Sequence, residues 1–134
     1  MTLQVLNVQH EIVYTFATYY GTHVPIKNFQ AWDKHWILEV SNFVIQDGKI
    51  LNEKYKFEEV FNWSLINEKP FYFFRKGPRV GFSYDGQFFS TFYDEIIHGY
   101  CCGLAFNNPL VRDNVVRFFG KHDGIWYYVI LETQ

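Results

Sequence analysis

The stretch Ile125 to Glu132 is apolar on both faces of an extended chain. Ile125, Tyr127, Val129 and Leu131 fall on one side, and Trp126, Tyr128 and Ile130 on the other. Phe88 and Phe92 oppose Phe89 and Tyr93 in the same way. An antiparallel sheet with one wet face alternates apolar with polar residues. These strands therefore need cover on both sides, from a helix, a second sheet, a partner subunit, or a ligand inside a closed barrel.

Three Asp-Gly pairs punctuate the pattern: Asp47-Gly48, Asp85-Gly86 and Asp123-Gly124. Asp-Gly suits the two positive-φ positions of a type I′ turn, so each predicts a hairpin. The first pairs Asn42 to Gln46 with Lys49 to Tyr55, the second Arg79 to Tyr84 with Gln87 to Tyr93, and the third Val115 to His122 with Ile125 to Glu132. The turns lie 38 residues apart, from 47 to 85 and from 85 to 123. That spacing suggests a repeat of β-trefoil-like kind, with regular turns of a meander as the plainer reading.

Further strands are expected at Leu3 to Val8, Glu11 to Tyr20, Pro70 to Arg75 and Gly99 to Phe106, and Asn107-Asn108-Pro109 reads as a loop. Two short helices are expected. Asn28 can cap one that carries Phe29, Trp32 and Trp36 on one face, and Phe57 to Ile66 has Phe57, Val60, Phe61 and Leu65 at helical spacing. The expected fold is one all-β, mainly antiparallel domain over residues 1–134. It forms a small barrel or strongly curved sheet built from hairpins, with one or two short helices. A β-trefoil-like arrangement is the alternative.

Composition sharpens this picture. Fifteen Phe, ten Tyr and four Trp make 22% of the chain, more than a core of this size needs, which points to an aromatic-lined pocket or interface. The net charge is -2 and the cations are scattered, which argues against nucleic acid and against an anionic membrane surface. The longest apolar run is far too short to span a bilayer, and the first ten residues lack a leader pattern. Cys101 and Cys102 are adjacent, too close for ordinary disulfide geometry, and read as free thiols of a reducing, cytoplasmic compartment.

Candidate chemistry is sparse. Asp94 and His98 are four residues apart and share a face in either a helix or a strand, so Asp94 could orient the imidazole for acid–base work. The plainer reading is two surface residues at a strand end. A zinc site would need ligands that the other histidines do not supply in any pairing pattern, so no metal and no cofactor are expected. Arg79 and Arg117 hold equivalent places before their Asp-Gly turns. With Tyr84, Trp126 and Tyr128 they form a candidate ligand-binding set, if they point inward. Pointing outward, the arginines are charges that deter edge pairing.

No phosphate loop, dinucleotide fingerprint, nucleophile elbow or double-histidine zinc motif is present. The leading functional expectation is a small apolar or aromatic molecule bound inside a β-barrel, with lyase, isomerase or cyclase chemistry that needs no cofactor. A protein-interaction module (an inhibitor, an immunity protein or a homodimer subunit) is the alternative, and a β-trefoil carbohydrate binder the third.

Overall fold

The computed structural model describes residues 2–17, 26–99 and 108–133, without the side chains of residues 3, 16, 17 and 90–92. Among the described residues, all strand pairs are antiparallel and one short helix accompanies them. The strands form four successive sheets. The first pairs β1 (Thr2–Leu6) with β2 (Ile12–Ala17). The second is a meander of β3 (Ile26–Trp32), β4 (His35–Val40), β5 (Phe43–Gln46) and β6 (Lys49–Ile50), followed by helix α1 (Leu51–Tyr55). The third is β7 (Glu59–Ile66), β8 (Lys69–Lys76), β9 (Arg79–Tyr84) and β10 (Gln87–Tyr93). In the fourth, β13 (Val115–His122) pairs along its length with β14 (Ile125–Glu132). Its other edge meets β11 (Glu95–Ile96) and β12 (Leu110–Arg112).

All three Asp-Gly hairpins form. Asp47, Asp85 and Asp123 have φ of 51, 51 and 49°, and their glycines 81, 77 and 79°, the left-handed pair that a type I′ turn requires. The registers Gln46↔Lys49, Tyr84↔Gln87 and His122↔Ile125 place each pair in a two-residue loop. The 38-residue spacing has a structural meaning, since each turn closes the last hairpin of one sheet. The sheets do not close into a barrel among the described residues; they stack face to face.

The stacking covers the second and third sheets on both faces. In the second sheet, Leu38, Val40 and Ile45 meet Val5 of the first, while Ile37 and Val44 on the other face meet Val60, Trp63, Tyr72 and Phe74 of the third. The opposite face of the third sheet presents Phe61, Phe71, Phe73 and Val80 to Val116 and Phe118 of the fourth. For β4, β5, β7 and β8 the cover is the neighbouring sheet, whereas the strands expected to need it are covered in part: Phe88, Phe89, Trp126, Tyr128 and Ile130 stay about half exposed.

Both expected helices are strands. At Asn28 to Trp36 the chain reverses at Asp33, whose φ of 48° ends β3, and β4 pairs back with Trp32↔His35. The Asp47 carboxylate then holds the start of β4, accepting from Trp36 N at 2.9 Å. Phe57 to Ile66 misleads for another reason. A bulge at Asn62 (φ 52°) breaks the alternation of β7, so Val60, Trp63 and Leu65 face the second sheet while Phe61 and Ile66 face the fourth. The resulting three-residue step imitates a helical period. Conversely, the expected strand from Lys49 to Tyr55 stops at Ile50, and Leu51–Tyr55 is α1, ended by left-handed Lys56. Among the described residues, no helix is long and apolar enough to cross a membrane. The strand expected at Gly99 to Phe106 lies almost wholly outside the described residues, and Cys101 and Cys102 lie outside them entirely.

Candidate functional site

The bulge that disguised β7 also builds the most polar place in the fold. A left-handed Asn62 turns two consecutive backbone N–H groups the same way. Asn62 N and Trp63 N donate to the two oxygens of Glu39, at 2.9 and 3.2 Å. Glu39 sits in the otherwise apolar run Ile37-Leu38-Glu39-Val40 and is 3% exposed. Such a carboxylate is tolerable only because both oxygens are bonded. Burial still pushes its pKa above the ordinary carboxylate value, against the pull of those N–H groups, Lys27 and His98.

Glu39 forms the floor of a cleft of about 390 Å³ where the edge strands β3 and β7 come side by side. Asn28 on β3 fixes that approach by donating its amide to Trp63 O at 2.9 Å. Ile26, Lys27, Asn28, Asn62, Trp63, His98 and Gly99 complete the walls. Burial pulls the pKa of the Lys27 ammonium below its usual value, although Glu39 and Glu59 both oppose the shift.

His98 closes one side. Its ring stacks on Phe61 at 3.5 Å between centroids, its Nδ1 lies 2.6 Å from Ile96 O, and its Nε2 meets the Glu59 carboxylate in a short contact. Both ring nitrogens thus face oxygen acceptors. Burial raises the pKa of Glu59, but the hydrogen bond and charge of His98, with Arg75 and Lys27 behind it, bring it below the ordinary value overall. Arg75 lies across the ladder from Glu59, Nε to Oε2 at 3.6 Å. Glu39 on the cleft floor and Glu59 behind His98 are thus driven in opposite directions, a common basis for acid–base division of labour.

Of the residues singled out from sequence, His98 lies here and Asp94 does not. Asp94 instead caps the third Asp-Gly turn: its Oδ2 accepts from Gly124 N at 3.3 Å, and its own N–H donates to Lys121 O at 2.7 Å. The remaining candidates separate. Tyr84 donates to Ile66 O at 3.3 Å and lines a smaller, largely apolar cleft of about 290 Å³ between the third and fourth sheets, with Phe82, Phe89 and Leu131. Arg79 is exposed opposite Lys76. Arg117, Trp126 and Tyr128 point away from the third sheet, on the outer face of the fourth, so the structure does not gather the five into one pocket. Lys27, Asn28, Glu39 and Glu59 escaped sequence reasoning. The available signal was Glu39 itself, an acid at a core position of an apolar strand.

Comparison with known proteins finds no matching family model, no similar characterised protein and no similar solved structure.

Proposed function

We propose that the protein binds a small polar molecule in the cleft between β3 and β7, and that the opposed carboxyls Glu39 and Glu59, with His98, can move a proton on it without a cofactor. One observation carries this reading: a nearly buried carboxyl on the floor of an open cleft whose walls include Lys27 and His98, with Glu59 bonded behind His98. Burying ionisable groups costs free energy that sheet stacking does not require, and such groups cluster at functional sites. The volume suits a ligand of metabolite size. The walls offer donors at Lys27 and acceptors at Glu39, so the ligand carries both kinds of hydrogen-bonding group. This reading takes a polar ligand in place of the apolar one expected from aromatic content, because the walls of this cleft are largely polar and charged side chains.

The test is a titration of isotope-labelled protein with glucose, glycerol, acetate and glycinamide, followed by amide chemical shifts. The reading expects saturable shifts at Asn28, Asn62, Trp63 and His98 with at least one probe, lost in Glu39→Gln. If none of the four probes gives a saturable shift there, the reading is wrong. A second reading, protein–protein interaction, is favoured by a different surface, the outer face of β13 and β14.

A further inference from the structure

We infer that the outer face of the fourth sheet is where two copies of this chain meet. The strands β13 and β14 have two unlike sides. Val116 and Phe118 point to the third sheet and are fully buried. Leu110, Phe119, Trp126, Tyr128 and Ile130 point the other way and are 43–55% exposed. Phe119 and Tyr128 touch at 4.9 Å, and Lys121 lies over Trp126 at 5.7 Å, so the apolar side chains form one continuous surface. With half of each side chain open, they offer on the order of 500 Å². Flanking arginine and lysine stems bring this near the ~800 Å² per partner of a standard interface.

The arrangement of charge selects a second copy and its orientation. The rows along the face are Lys121 with Trp126, Phe119 with Tyr128, Arg117 with Ile130, and Val115 with Glu132. A two-fold axis in the plane of contact, perpendicular to the strands, reverses this order. Phe119 then meets Arg117 of the second copy, a cation–π pairing. Lys121, at one end, approaches Glu132 of the second copy, at the other, and the contact occurs twice. An axis along β13 itself would set Lys121 against Lys121 and Arg117 against Arg117. Head-to-tail stacking on the first sheet is less favoured because its outward positions mix Thr2, Gln4 and Thr15 with the exposed Leu6 and Val13 and carry no aromatic row. Face-to-face packing of aromatic strands is also how this chain joins its own third and fourth sheets. The inference is independent of the cleft.

Sedimentation velocity over a concentration series tests it. The wild-type chain should be a dimer at roughly 100 µM. Tyr128→Asp should weaken the dimer by at least about tenfold while leaving the far-ultraviolet spectrum of the fold unchanged. Lys121→Glu should also weaken it, and the double swap Lys121→Glu with Glu132→Lys should restore it. A wild-type chain that stays monomeric throughout overturns the inference, including the case where it gains mass only on meeting a different protein. A dimer indifferent to Tyr128→Asp does so equally. Failure of the double swap to rescue overturns the two-fold arrangement.

Discussion

The joint between the third and fourth sheets and the joint between the second and third are made from the same kind of strand, yet their contents differ. The first is filled by Phe61, Phe71, Phe73, Val80, Val116 and Phe118, with rings at 5.1 Å between Phe73 and Phe118. The second has an apolar centre of Ile37, Val44, Tyr72 and Phe74. At its β3–β7 edge it also holds Glu39, backed by a bulge, an asparagine bridge and a lysine. The sealed joint is apolar through its centre, with His98 and Glu59 at the rim beside Phe61 and a small apolar cleft at Tyr84. The open joint instead buries the carboxyl of Glu39 within an apolar run, and the cleft in front of it supplies a reason beyond cohesion.

Breaking the sealed joint should have the largest effect. Phe118→Ala removes a fully buried ring from between Phe73 and Tyr93 and should cost about 3–5 kcal/mol in denaturant unfolding. An effect under 1 kcal/mol would mean that the fourth sheet is not packed as described. Glu39→Ala at the open joint should cost about 1–3 kcal/mol, because it orphans two backbone N–H groups. Glu39→Gln keeps one acceptor and should cost less. Equal losses for the two variants would contradict the role given to the bulge.

The hairpin turns come next. Gly86→Val and Gly124→Val place a branched side chain at φ of 77 and 79°, and each should lower stability by about 1–2 kcal/mol. Space is not the obstacle, since a Cβ at either position meets nothing within 4 Å. Unchanged melting temperatures would therefore count against the backbone argument alone.

The two carboxyls should leave opposite, smaller marks on the pH dependence of stability. Glu59 has a lowered folded pKa. Its contribution is present above the ordinary carboxylate value and is lost as pH falls through the folded one. Glu39 has a raised pKa, so stability falls as pH rises from the ordinary value through the raised one. Glu59→Gln should flatten the acid side of the profile, and Glu39→Gln should remove the decline above it. Identical profiles for the two variants would contradict the assignment.

Local chemistry made the hairpins legible. Asp-Gly sets both turn dihedrals, and the strand limits at Arg79–Tyr84, Gln87–Tyr93, Val115–His122 and Ile125–Glu132 follow from it. The double-sided apolar pattern was legible too, but other sheets cover only part of it, and Trp126, Tyr128 and Ile130 stay about half exposed. The bulge at Asn62 hid β7 because one inserted residue converts a period of two into an apparent helical one. The cleft escaped because its walls come from residues 26–28, 39, 62–63 and 98–99, which only the stacking brings together. His98 was a visible candidate, but its partner Glu59 lies 39 residues away, and nearby Asp94 serves a turn.

On this reading the Lys27 charge of the cleft serves a ligand and not the fold. Lys27→Met tests it most directly, with melting temperature and probe titration measured on the same samples. A partly buried lysine exchanged for an apolar side chain of similar length should leave the melting temperature unchanged or slightly higher, while saturable binding of the small polar probes is lost. A clear fall in melting temperature, together with undiminished probe binding, would show that Lys27 holds the sheets together and that the cleft charges are structural.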